Sequence, residues 1–300
     1  MVTPSSISVR GLTKYYGKQL GVEGVSFHVE AGQITGFLGP NGSGKTTVMR
    51  MLLGLLKISR GSAHILGNDV SDRLGSFRQH VGYLPGTLAL YENITVGKYL
   101  GLIEHLREVD CRANIAALCE RLQLSPANQI KGLSKGNKQK VGVVQAFMHS
   151  PAVLMLDEPT AGLDPIVQRE FESIVREHRD RGAAVLLSSH VLGEVEQLAS
   201  DVVILDRGHL VMQDNLHELK SRIERRLRFD FALPPPSDLF DGCDGVSHVE
   251  VSDHSITCTV VGSEAPALER AARADVETVR TYEPSLDDIF LSATAGSRHV

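Results

Sequence analysis

The sequence predicts an α/β fold with a smaller α+β unit at its C-terminal end, and three observations predict it. Two short, continuously apolar runs, in AVLMLDE and AAVLLSSH, have the length and character of strands buried on both faces of a parallel sheet. Between them lies PIVQREFESIVREHRDRG, a helical pattern that stops at Gly182 as a C-terminal glycine stops a helix. After about Ser221 the texture changes to a basic run, three prolines (Pro234 to Pro236) and short alternating segments.

In chain order, ISVRGL, VSFHVE and QITGFLG read as strands from their β-branched or alternating character. The last runs into a glycine loop and then TTVMRMLLGLL, whose apolar residues recur at helical spacing. From Val96 to Leu124 the pattern is helical, which makes residues 91–150 a helical insertion between the halves of the α/β core. The expected domains are 1–220 and 221–300. Within the second, KSRIERRLRF reads as a basic, solvated linker helix, with contact to anionic lipid as the alternative. HVEVSDHSITCTVV then reads as two strands about a polar turn, SEAPALERAARA as a helix, VETVRTY as a strand, and EPSLDDIFLSA as a last helix capped by Ser285 with Asp288.

Composition narrows the function. A chain of 300 residues, 42% hydrophobic and 22% charged, holds one large domain or two smaller ones. Its net charge of -5 gives no electrostatic case for nucleic acid as the main partner. Cys111, Cys119, Cys243 and Cys258 lack metal-ligand spacing, and MVTPSSISVRG lacks a signal-peptide pattern, so a reducing cytoplasm is expected. No window approaches the roughly 18 to 20 apolar residues of a membrane span, so work at a membrane would need another chain.

GPNGSGKTT (Gly39, Pro40, Asn41, Gly42, Ser43, Gly44, Lys45, Thr46, Thr47) fits G-x-x-x-x-G-K-[ST] and stands between a strand and a helix, as a phosphate-binding loop must. Its backbone N–H groups and the helix N-terminus suit phosphate oxygens. Lys45 is expected to reach the β- and γ-phosphates as a catalytic cation, and Thr46 to hold Mg²⁺. AVLMLDEP brings Asp157 to a strand end, where it orients the metal through a water, and puts Glu158 next to it as base for the attacking water. His190 closes AAVLLSSH at the same sheet edge, in position to bond the γ-phosphate and that water.

Over about Ile7 to Lys220 these residues resemble the ATP-binding subunits of ABC transporters, and SPAVLMLDEPTAGLDP is a specific string for that family. The resemblance implies a P-loop NTPase (RecA-like) core with an N-terminal antiparallel β subdomain and a helical insertion, using ATP and Mg²⁺. It implies that LSKGN (Leu133 to Asn137) is a signature loop: Ser134 and the Gly136 backbone would cap the γ-phosphate of ATP held by a partner subunit, aided by the helix dipole. Two subunits, identical or related, would then pair head to tail around two ATP molecules. Tyr16, with Tyr15 as the adjacent alternative, matches the aromatic residue that stacks on adenine, and Asp164 of AGLD matches the loop that faces the partner subunit. YLPGTLALYENITV, LSKGNKQKVGVVQA, SSHVLGEVE and EPSLDDIF look like the bacterial multidrug and antibiotic exporter branch, whose separate multi-span permease would hold this subunit at the cytoplasmic face of the membrane.

The sequence departs from the common pattern twice. LSKGN replaces LSGGQ, and Gly86 stands where the family usually has glutamine or glutamate. Glycine has no group to ligate Mg²⁺ or position water, which predicts weaker metal coupling. A soluble ABC-type ATPase acting on ribosomes or DNA is the competing class; it is disfavoured by a single cassette and by the lack of sustained heptads. A GTPase or a small-molecule kinase is a third class; the GTPase is disfavoured because NKQK ends in Lys140 where guanine recognition needs an aspartate.

Overall fold

The computed structural model describes residues 5–72, 75–189, 191–222 and 225–282. It divides into two compact units, Met1–Gln213 and Asp214–Val300. The division falls before Lys220.

The first unit holds two sheets. One is antiparallel, in the order β2-β1-β4-β5, formed by β1 (Ile7–Tyr16), β2 (Gln19–Val29), β4 (Arg60–Ile65) and the short β5 (Asn68–Asp69). The second has six strands in the order β10-β9-β3-β8-β7-β6. They are β3 (Ile34–Leu38), β6 (Val81–Leu84), β7 (Val153–Asp157), β8 (Ala184–Ser188), β9 (Asp201–Asp206) and β10 (His209–Asn215). β3 runs parallel to both β8 and β9, and β7 runs parallel to both β6 and β8.

Every residue of β3, β7 and β8 is buried. Alternation along β7 explains why the run must be apolar throughout: Leu154 and Leu156 enter one core cluster, Val153 and Met155 the other. β8 divides its side chains likewise, with Val185 and Leu187 on one face and Ala184 and Leu186 on the other. One cluster joins the helices α2 (Val96–Arg107), α3 (Arg112–Arg121), α4 (Lys135–Phe147) and α5 (Pro165–Asp180) to the sheet; the other joins the antiparallel sheet and α1 (Lys45–Leu52).

Local signals set the helix ends. Thr95 accepts the Lys98 N–H at 3.3 Å to start α2. Asp164 accepts the N–H groups of Ile166 and Val167 at 3.1 and 3.0 Å to start α5, where Pro165 needs no N–H partner. Arg121 on α3 grips α5 by a two-toothed bond to Glu177 (2.8 and 2.6 Å) and a bond to Glu170 at 2.5 Å.

The second unit contains α7 (Leu216–Arg222), β11 (Arg225–Phe231), β12 (Val246–Ser252), β13 (Ser255–Val260), α8 (Ala265–Arg273) and β14 (Val276–Tyr282). Its antiparallel sheet has the order β12-β13-β11-β14. The basic run is therefore not one linker helix. The helix stops at Arg222, and from Arg225 the residues alternate: Leu227, Phe229 and Phe231 enter the core, while Arg226 and Arg228 face out. Phe229 packs on Phe240 with ring centroids 4.9 Å apart. The expected last helix, with Ser285 and Asp288, lies outside the described residues.

Candidate nucleotide-binding site

The C-terminal ends of β3, β7 and β8 meet at one edge of the six-stranded sheet, where the crevice of an open α/β sheet receives its ligand. β3 ends at Leu38, and residues 39–44 turn back before α1 begins at Lys45. Two glycines make that turn possible. Gly39 and Gly44 have φ of +150° and +108°, and a β-carbon would strike the Leu205 carbonyl at the first and the Val22 side chain at the second.

The loop borders a cleft of about 500 Å³. Asn41, Gly42, Ser43, Gly44, Lys45, Thr46 and Thr47 line it from one side, Asp157 and Glu158 from the end of β7, and Tyr16 from the end of β1. Gly39 and Pro40 contribute differently: their carbonyls accept hydrogen bonds from the Lys45 ammonium at 2.5 and 3.2 Å. Burial lowers the Lys45 pKa, and the charges of Glu158 and Asp157 oppose that shift. Ser43 is 2% exposed, and its Oγ is a buried polar atom with no hydrogen-bond partner. A buried ammonium, an unpartnered hydroxyl and a helix N-terminus with no acidic residue in its first turn fit phosphate oxygens.

Thr46 Oγ1 donates to Asp157 Oδ2 at 2.9 Å, although the two are 111 residues apart. Strand register explains the carboxylate's orientation: Asp157 pairs with Ser188 across β7 and β8, and Ser188 Oγ donates to Asp157 Oδ1 at 2.5 Å. A threonine hydroxyl beside a carboxylate oxygen is a hard-oxygen pair of the kind Mg²⁺ uses. Glu158 follows with φ of +51°, its N–H donating to the Ser188 carbonyl at 3.1 Å. Gln139 holds this turn from below through the carbonyls of Glu158 (3.4 Å) and Pro159 (2.8 Å).

Tyr16 is 47% exposed, with its hydroxyl 3.3 Å from Thr47 Oγ1 and the Lys14 ammonium 5.3 Å from its ring centre. Tyr15 turns to Glu23 instead, 3.0 Å away, and is not among the cleft-lining residues. His190 lies outside the described residues.

Ser134, Gly136 and Asp164 do not line the cleft. They form a second polar surface. Ser134 caps α4 by accepting the Asn137 N–H at 3.2 Å, and a β-carbon on Gly136 would stand 2.5 Å from the Gly162 carbonyl. The stem of Lys135 lies 3.6 Å from the place a Gly162 β-carbon would take, so the start of α4 and the loop before α5 are packed together. Its two N–H bonds hold Asp164 below the usual carboxylate range.

Sequence reading missed Ser188 and Gln139 as partners of the site. Ser188 was detectable as the polar end of an apolar strand; Gln139 sits on a helix whose facing loop only the fold reveals.

The fold and cleft define a nucleotide-binding ATPase of the P-loop class. Residues 22–161 match the ABC transporter family. The bacitracin transport ATP-binding protein BcrA of Enterococcus faecalis is 33% identical over 263 residues, 87% of this chain and 83% of that protein. The Nod factor export ATP-binding protein I of Rhizobium meliloti (strain 1021) is 32% identical over 302 residues, 96% of this chain and 88% of that protein. A solved ATP-binding subunit of an ABC transporter superposes with a TM-score of 0.69 at 30% identity, covering 72% of this chain and 92% of that one. The chain belongs to the ATP-binding subunits of ABC transporters and is an ATPase of that family. No helix of the described residues is long and apolar enough to cross a membrane.

Proposed function

We propose that this chain is the energy-coupling subunit of an exporter. A separate membrane permease carries the substrate, and this subunit works at its cytoplasmic face. The observation that supports the reading is the Thr46–Asp157–Glu158 arrangement, a hydroxyl and two acidic side chains set beside the phosphate loop at one sheet edge. The transport and export named for the similar proteins of Enterococcus and Rhizobium support the direction.

In this reading Gly39 to Thr47 wrap the phosphates, with Gly39 and Pro40 holding Lys45 until it turns to the β- and γ-oxygens. Thr46 and Asp157 hold Mg²⁺, which supplies charge neutralisation when bound. Tyr16 takes the adenine ring. Glu158 accepts the proton of the attacking water, a role worth about 10² to 10⁴ in rate, and His190 bonds the γ-phosphate. Ser134 and Gly136 present the start of α4 to ATP held by a second subunit, identical or related, with Asp164 in the contact. The packing of Gly136 on Gly162 supports that shared role, because it makes one surface of the two loops.

The test is the solution mass of Glu158→Gln by light scattering with ATP and Mg²⁺, beside its ATPase rate. Loss of turnover with an ATP-dependent shift from monomer to dimer is expected. Normal turnover would remove Glu158 from the base role. A monomer with ATP bound would remove Ser134 and Gly136 from the lid.

A further inference from the structure

The loops that leave β7 and β8 are joined twice at their roots and once more beyond the catalytic edge. At the roots Ser188 holds Asp157 through its hydroxyl and the Glu158 N–H through its carbonyl. Beyond them two hydroxyls converge on one oxygen. Thr160 Oγ1 donates to Glu194 Oε2 at 2.6 Å, and Ser189 Oγ donates to the same atom at 3.2 Å. Thr160 and Ser189 are 8% and 1% exposed, and Ser189 Oγ also accepts the Val191 N–H at 2.9 Å. Glu194 belongs to the first turn of α6 (Leu192–Leu198) and is not among the cleft-lining residues.

A half-buried carboxylate oxygen that takes protons from two buried hydroxyls, closely from Thr160 and at longer range from Ser189, makes a joint between them, because bonds to a charged acceptor are stronger than neutral ones. The loop it grips needs such support. Glu158 is a side-chain-bearing residue at φ +51°, a conformation that persists only when its surroundings impose it. Gln139 restrains Pro159 from one side, and Glu194 restrains Thr160 from the other.

We propose that Glu194 is a positioning residue for ATP hydrolysis. Through Thr160 it fixes the turn that aims Glu158, and through Ser189 it ties that turn to the end of β8. This rests on Glu158 as the base. Glu194 does not line the cleft, so its removal should disturb the chemical step and leave ATP binding in place.

The experiment compares steady-state ATPase kinetics of the full chain with Thr160→Val, Thr160→Ser, Glu194→Met and the Thr160→Val/Glu194→Met pair. Valine keeps the volume of threonine and removes only the bond, and methionine keeps the length of glutamate without an oxygen to accept from either hydroxyl. For Thr160→Val and Glu194→Met we expect kcat to fall by about tenfold or more, as misaligned catalytic groups do, with KM for ATP unchanged. Thr160→Ser should keep wild-type turnover, and the double variant should be no slower than Glu194→Met alone, since both remove the same joint. Wild-type kcat in Thr160→Val, equal losses in Thr160→Ser and Thr160→Val, or additive losses in the double variant would each overturn the proposal. Should Glu194→Met fail to fold, the Thr160 pair decides. Glu158→Gln, run in parallel, separates the two readings: normal turnover there overturns the base, whereas lost turnover there with a normal Thr160→Val overturns the role of Glu194 alone.

Discussion

Gly86 stands against Asp157: a β-carbon at position 86 would lie 3.5 Å from both Oδ2 and the main-chain carbonyl of that aspartate. Both residues line the nucleotide cleft. The position where related subunits usually carry glutamine or glutamate is thus beside the carboxylate that Thr46 contacts, and here it brings no side chain.

The 3.5 Å separation is ordinary contact, so Gly86→Gln should fit without displacing Asp157. We expect the Mg²⁺ concentration for half-maximal ATPase to fall and turnover to rise, measured by Mg²⁺ titration at saturating ATP. An unchanged titration curve would show that position 86 is idle in this protein.

Gly136→Ala should fail for a steric reason. Its β-carbon would meet the Gly162 carbonyl at 2.5 Å, and that neighbour is main chain, so the start of α4 must separate from the loop before α5. We expect the melting temperature to change by only a few degrees and ATP-dependent dimerisation to weaken by at least about tenfold, equivalent to 1.4 kcal/mol, read by light scattering against ATP concentration.

Arg121 should matter through its geometry more than its charge. Its guanidinium spans Glu170 and Glu177, all three being roughly one-third exposed, so solvent screens part of the interaction. Arg121→Ala is expected to cost about 1 to 2 kcal/mol. Arg121→Lys should recover less than half of that, because an ammonium cannot bond both oxygens of Glu177 in a plane. Urea unfolding of the three proteins checks both values.

His149 gives the fold an acid sensitivity. Burial, with Arg107 nearby, pushes its pKa down to about 4, while its Nε2 lies 3.2 Å from the Val81 carbonyl and its buried Nδ1 has no hydrogen-bond partner. The Nε2–H tautomer satisfies the carbonyl, and a proton on Nδ1 would be a buried, unpaired donor. The folded pKa lies below the ordinary value near 6.5, so the unfolded chain binds more protons between those values and stability falls as pH drops from about 6.5 to 4. Replacing His149 with glutamine should flatten this part of the melting temperature profile against pH.

The phosphate loop was readable from the sequence because all its parts are adjacent in the chain and flanked by clear strand and helix patterns. Thr46 and Asp157 were readable separately, but that they touch follows from β3 and β7 ending at one edge. Ser188 was hidden for a related reason: it reaches Asp157 only in the register that pairs those two residues. Thr160, Ser189 and Glu194 meet through the path of two loops, which no periodicity encodes. The basic run misled because its charged residues obscured a change of period. Arg226 and Arg228 alternate with Leu227 and Phe229, and the two-residue pattern begins only after the helix has ended at Arg222.

The two-sided burial of β7 and β8 has a consequence for how the first unit comes apart. Each strand is a wall shared by both cores, so neither core opens at this wall without disturbing strands that also line the other. Amide protons along Val153–Asp157 and Ala184–Ser188 should therefore exchange with solvent only when the whole unit unfolds, and with one common opening free energy. Those of α2 and α3, which border a single core, should exchange sooner through smaller openings. The strands that carry Asp157 and Ser188 are then the last part of the unit to yield, and the sheet edge beside the cleft keeps its spacing while the helices around it breathe.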